Sequence, residues 1–217
     1  MIKHTSFDHS GGFYFYRLHN WKTDQLTNGF PKLKNFLHSM FEDCPHDYFH
    51  SGPRGSALKF SLHDVDMHQT TGHEVSQLTI DGLEENSERY KTAHSKVQVF
   101  MLEHDDKTLA VEVPIWLKAN ELKNYSNIFN SKEPLTGHID VLRMEGDNIW
   151  VWDYKPNAKK EKYASTQVFF YALMMSKRTG IPLDHFRCGY FDSAYSFIFK
   201  PEMEMLKMPE LGKFLDR

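Results

Sequence analysis

The stretch G-H-I-D-V-L-R-M-E-G-D-N-I-W-V-W-D-Y-K-P-N-A, running from Gly137 to Ala158, decides the fold. Two β-like runs, Ile139 to Met144 and Ile149 to Lys155, flank Glu145-Gly146-Asp147-Asn148, and Gly beside Asp and Asn is hairpin chemistry. A hairpin symmetric about the Gly146–Asp147 bond sets Asp140 directly across from Asp153. Directly opposed residues share a face, with Cβ atoms roughly 4.5–5.5 Å apart. Lys155, two positions on, points to that same face. Two carboxylates so arranged repel each other, and a cation between them removes the conflict. The pattern therefore predicts a divalent-metal site with an ammonium beside it.

Both faces of this hairpin are apolar. Leu142, Met144, Ile149 and Val151 share the face of the aspartates, while Val141, Trp150, Trp152 and Tyr154 line the other. A sheet greasy on both sides is covered on both sides. A helix predicted from about Glu161 to Lys177, with Val168, Phe169, Ala172, Leu173 and Met175 inward, covers one of them, and Gly180-Ile181-Pro182 ends it. Strands are predicted at 186–191 and 195–199. Upstream, 96–103 and 108–117 read as two strands joined by Asp105-Asp106-Lys107, and 120–130 as a loop. Residues 65–84 read as a helix through Val75, Leu78 and Leu83, and 31–41 as another through Leu33, Phe36, Leu37 and Met40. The fold class is α/β: a central mixed β-sheet flanked by helices, with an N-terminal helical elaboration over 1–64 and the core over 96–200 of a single domain.

These residues in this order resemble the PD-(D/E)XK nuclease superfamily, and within it the RecB-like exonucleases and their CRISPR-associated relatives. The matching positions are Gly137 and Asp140, then Asp153 and Lys155, then Gln167 and Tyr171 on the following helix; Val111-Glu112-Val113-Pro114-Ile115-Trp116 is similar to the strand before them. The resemblance implies a restriction-endonuclease-like core and metal-dependent hydrolysis of DNA phosphodiesters. It implies exonuclease action on single-stranded or end-bearing DNA, in repair, recombination or defence. It implies Mg2+ or Mn2+ held by Asp140, Asp153 and the carbonyl of Tyr154, with Lys155 catalytic and Gln167 and Tyr171 binding substrate. It also implies a further ligand from a helix, for which His73 or Glu74, in Thr71-Gly72-His73-Glu74, is the local match. Cys44 and Cys188 are the only cysteines, so the four-cysteine iron–sulfur cluster of some RecB-like nucleases is not expected.

Around that core the sequence holds alternatives open. His63, His68 and His73 recur every five residues, which scatters them over a helix and argues against a zinc cluster. Glu112 reads first as a half-exposed strand residue, with support of the site as the alternative, and His138 as a packing or substrate-side residue. Tyr163 lies on the stripe of Gln167 and Tyr171. Lys155, Lys159, Lys160 and Lys162 against Glu161 form either a phosphate-tracking patch or a solvated loop. The net charge of −3 supplies no general attraction to nucleic acid, so affinity for DNA must be local. Hydrophobic content of 40% with 25% charged residues suits a globular chain of 217 residues. Without an apolar N-terminal run or membrane-length segment, the expectation is a cytoplasmic, non-secreted protein with no membrane partner. The other function classes are a non-catalytic nucleic-acid- or protein-binding module on the same fold, and a structure-specific endonuclease on branched DNA or RNA.

Overall fold

The computed structural model describes residues 1–206. Its core is the predicted hairpin, β5 (Leu135–Glu145) and β6 (Asn148–Tyr154), turning at Gly146, whose φ of +57° a residue with a Cβ adopts only with strain. Val141 faces Trp152 and Glu145 faces Asn148, the register that the turn residues predict. β6 runs parallel to β7 (Phe186–Phe191), and a parallel step needs a crossover. Helix α6 (Ala164–Thr179) provides it and stops at Gly180, whose φ of +65° lets its N–H return to the Ser176 carbonyl. β8 (Tyr195–Phe199) pairs antiparallel with β7. On the other side β4 (Thr108–Leu117) pairs with β5.

Two apolar layers hold this sheet. One joins Leu142, Met144, Ile149 and Val151 to Val168, Phe169 and Ala172 of α6, and to Leu33, Phe36 and Leu37 of α2 (Pro31–Ser39). The opposite layer joins Val141, Trp152 and Tyr154 to Val75 of α3 (Glu74–Glu85) and to Val97, Met101 and Leu102 of α4 (Ala93–His104). The face assignments read from the hairpin therefore hold. Gly189 lies flat under the Trp152 indole, where any side chain would overlap the ring.

Elsewhere the structure corrects the sequence reading. Residues 96–103 are not a strand but most of α4. Thr92 caps that helix, its hydroxyl accepting the Ser95 N–H at 3.1 Å. α4 lies between the sheet and α3, where Gly82 lets Phe100 approach closely. Burial on both sides erases the helical period and leaves Val97, Val99 and Met101 looking like strand alternation. The predicted helix over 65–84 is a short exposed strand, β3 (His68–Thr71), followed by α3, which starts after Gly72. The region 120–130 contains α5 (Tyr125–Phe129) rather than only loop. The N-terminal elaboration is partly β: β1 (Ile2–His9) and β2 (Gly12–His19) form a hairpin before α1 (Asn20–Leu26). These additions give one sheet in the order β1-β2-β4-β5-β6-β7-β8-β3. No helix among the described residues is long and apolar enough to cross a membrane.

On the α3/α4 side, Arg143 of β5 is wholly buried. Its Nε and Nη2 reach both oxygens of buried Asp105 at 2.7 and 3.1 Å, while Glu74 and Glu145 take the rest of the guanidinium at 2.7 and 2.9 Å. Removing one member of a buried, hydrogen-bonded pair strands the other charge. Asp105→Ala is expected to lose about 3 kcal/mol of unfolding free energy, whereas Glu145→Ala, at a partly exposed carboxylate, loses less than about 1 kcal/mol. Urea denaturation of the two variants measures the contrast.

Candidate metal-dependent active site

The site forms where three strands lose their regularity together. In β4, Glu112 adopts φ +53°, so Val111 packs in the α3/α4 layer and Val113 in the α6 layer. The facing strand breaks its alternation at the same level, with Ile139 in one layer and Val141 in the other, while the pairing register stays unchanged there. The β5–β6 ladder ends at Val141 and Trp152. Beyond it, Asp140 replaces a backbone acceptor: its Oδ2 takes the Tyr154 N–H at 2.9 Å. The regular Asp140–Asp153 pair expected from the turn is thus corrected to a splayed one. The register is right, but the strands part at the aspartates and open a cleft between them.

That cleft is lined by Glu112, Asp140, Asp153, Lys155, Gln167 and Tyr171, with His94, His138, Tyr14 and Arg54 around them. Asp153 is 1% exposed and Asp140 9%. Lys155 Nζ lies 2.7 Å from Asp153 Oδ2 and donates to Gln167 Oε1 at 3.0 Å. Gln167 Nε2 in turn donates to Asp153 Oδ1 at 2.7 Å and to the Tyr171 hydroxyl at 3.1 Å. Gln167 therefore fixes both members of the Asp153–Lys155 pair. Tyr171 is 2% exposed, packed where Gly55 and Gly137 have no side chain to obstruct it. It offers no free ring face for stacking, and its hydroxyl accepts from Gln167.

The electrostatics follow from this crowding. Burial pushes the Asp140 carboxyl well above its ordinary range, and Asp153 and Glu112 push it further. Burial likewise raises Glu112 to about 7, against the hydrogen bond it accepts from Gln98 at 2.7 Å. For Lys155, burial alone would lower the pKa, but Asp153 and Asp140 outweigh it and the ammonium is held above its usual value. His94, near the start of α4, stands 3.8 Å from Asp140 Oδ2. Burial draws it below the ordinary histidine value against the pull of Asp153, leaving a neutral ring with a lone pair to offer.

A divalent cation fits these residues. Asp153 Oδ2 is buried and, although an ammonium is near it, has no hydrogen-bond partner in line among the described residues. Three carboxyl groups face Lys155 and Arg54 in this low-dielectric cleft, and a divalent cation would favour the charged carboxylates that burial and mutual repulsion now disfavour. Their hard oxygens match Mg2+ or Mn2+.

The two helix-borne candidates from the sequence are not at this cleft. His73 caps α3 by accepting the Val75 N–H and lies against Trp152, on the α3/α4 side of the sheet. Glu74 is committed to Lys107 and Arg143. Spacing along a local Gly-His-Glu run could not reveal that the helix entering the cleft is the following one. His94 and Glu112 occupy the positions instead, together with Arg54 and Tyr14, which the sequence reading left unassigned. Glu112 had a visible cue in its place on the strand before Gly137. His94 had none, because its helix reads as a strand. Tyr163 precedes α6 under the Lys162 ammonium, outside the set lining the cleft, and Lys159, Lys160 and Lys162 are exposed.

A family profile described as the PD-(D/E)XK nuclease superfamily matches residues 35–204. That span covers most of the chain, which therefore belongs to this superfamily. No curated protein and no solved structure matches it. The superfamily is typically one of nucleases that use divalent metals, most often Mg2+ or Mn2+.

Glu112 links the cleft to stability. Its carboxyl titrates near the ordinary 4.5 when unfolded and at about 7 when folded, so the folded protein binds the proton more tightly. Its penalty is absent below about pH 4.5 and grows as pH rises through the window to about 7. In chelator, wild-type protein is expected to lose roughly 2 kcal/mol more stability between pH 5 and pH 8 than Glu112→Gln does. Urea midpoints at the two pH values test this.

Proposed function

We propose that this superfamily member is a Mg2+- or Mn2+-dependent deoxyribonuclease that hydrolyses phosphodiester bonds by water attack. The observation that carries the reading is the convergence of Glu112, Asp140 and Asp153 on one cleft, where, among the described residues, the buried Asp153 Oδ2 is met only by the Lys155 ammonium at 2.7 Å. Asp140 and Asp153 would hold the cation, with Glu112, His94 and the Tyr154 carbonyl as the further donors available around it. When bound, the cation would supply Lewis-acid stabilisation of the phosphate and a more acidic water.

The protein groups would do the rest. Lys155, charged and anchored by Gln167, would offset negative charge growing on the phosphate and exchange a proton with the attacking water. Arg54 hydrogen-bonds the Tyr14 hydroxyl at the other wall and would orient a phosphate as a fork-shaped donor. Gln167 and Tyr171 would act by positioning Lys155 and Asp153. The preference for single-stranded or end-bearing DNA, and a place among RecB-like exonucleases of repair, recombination or defence, rest on the Gln167-x-x-x-Tyr171 resemblance.

Purified protein with Mn2+ or Mg2+ is expected to shorten end-labelled linear DNA and to spare a covalently closed circle. Lys155→Ala is expected to lower the rate by at least about 100-fold while its far-ultraviolet dichroism and Mn2+ binding persist. Activity that survives Lys155→Ala, or proceeds in chelator, overturns the mechanism. Cutting of the circle replaces the exonuclease reading by an endonuclease one. Failure of Mn2+ to bind in an Asp140- and Asp153-dependent way favours a non-catalytic binding module.

A further inference from the structure

On the far side of His138 from the cleft, a second cluster has a different chemistry. Among the described residues His9, Cys44 and His46 each offer one ligand atom, and these atoms lie within 4.8 Å of one another. We propose that they form a separate site for a transition-metal ion of the zinc class, independent of the carboxylate cleft.

The donors come from two segments of chain brought together by the fold. His9 ends β1, and Cys44-Pro45-His46 leads into a short turn of helix at His46–Phe49. Hydrogen bonds from Ser10 already pin the segments: its backbone N–H donates to the Phe49 carbonyl at 3.1 Å, and its hydroxyl to the His50 carbonyl at 3.2 Å. His9 Nε2 stands 2.9 Å from His46 Nδ1. Zinc takes nitrogen at about 2.0–2.1 Å and sulfur at about 2.3 Å, so tetrahedral donors lie a little over 3 Å apart. A shift of a few tenths of an ångström brings the His9–His46 pair to that spacing, and the Cys44 thiol, within 4.8 Å of both nitrogens, closes by at most about 1 Å.

The surroundings of His9 are those of an oriented ligand. Its ring is stacked on Phe49 at 4.1 Å and Phe7 at 5.3 Å, which fixes its plane. Its other nitrogen, Nδ1, is 2.9 Å from His138 Nε2, and such a bond sets which nitrogen keeps a free lone pair. His9 and Cys44 are buried while His46 is exposed, so an ion would enter from solvent and keep one position for water. Two imidazoles and a thiolate select a borderline-soft ion, whereas the oxygens of the cleft select a hard one. The two sites thus discriminate by donor type. An ion here would staple β1 to the 44–49 segment and, through His9 and His138, brace the wall that carries Tyr14, whose ring stacks on His138 at 3.6 Å.

Cobalt titration of the demetallated full chain tests the proposal, because Co2+ bound to a thiolate absorbs in the near ultraviolet and tetrahedral Co2+ absorbs strongly in the visible. One equivalent is expected to produce both bands, and equimolar Zn2+ to bleach them. The bands should persist in Asp153→Asn and Cys188→Ser, and the thiolate band should vanish in Cys44→Ser. His46→Gln, at an exposed position where folding is not at risk, should weaken Zn2+ binding by more than about 100-fold. A wild-type protein that gives no thiolate band, or a band that survives Cys44→Ser, overturns the site.

Discussion

Three acidic side chains, Glu112, Asp140 and Asp153, are gathered at the point where three adjoining strands come apart. A folded sheet gains nothing from this on its own account, since burial and mutual repulsion both disfavour the charged forms. The neighbouring elements can be understood as the means of tolerating it. The Tyr154 N–H, Gln98 and Gln167 each donate to one of the three, and the Lys155 ammonium ion-pairs with Asp153. The positive φ at Glu112 turns a third acid towards the others at the expense of local backbone energy.

The same sheet carries a second buried charge cluster that is arranged in the opposite way. Around Arg143 every guanidinium nitrogen has an acceptor and Asp105 is held by both oxygens, which ties α3 and α4 to β5. Around Asp153 one oxygen has no aligned donor. One cluster serves cohesion and the other leaves valence for something from outside. This difference, more than the presence of acids, separates a structural ion network from a site prepared for a cation.

How much of this could be read from the sequence differs along the chain for physical reasons. The hairpin was legible because Gly146-Asp147 fixes a turn and both strand faces are apolar, which locks register and cover together. α6 was legible because its period and its terminal glycine agree. Asp140, Asp153, Lys155, Gln167 and Tyr171 inherited their shared location from those two elements. α4 was not legible, because a helix buried on two sides loses its polar stripe, and with it went His94. β1 and β3 were missed because edge strands with many exposed residues lack alternation. Glu112 and Asp140 lie at a slip in strand alternation, and no local pattern encodes a slip whose cause is the neighbouring strand. His73 and Glu74 were attractive by order in the sequence alone; their partners Trp152 and Arg143 are more than sixty positions away, and sequence spacing carries no information about that.

Electrostatics then constrain how the cleft can meet a polyanion. The chain is net negative, and the cleft itself adds three acids. Arg54 on one wall and Lys155 at the base are its cationic side chains, with the exposed Lys159, Lys160 and Lys162 beyond the end of β6. Those charges can guide a phosphate backbone along the rim, but they cannot offset repulsion at the acids. A divalent ion in the cleft would reverse the sign of the field at that one point while leaving the chain's net charge negative elsewhere. Attraction to phosphate would then be conditional on the ion, confining it to the cleft and not to the rest of the surface.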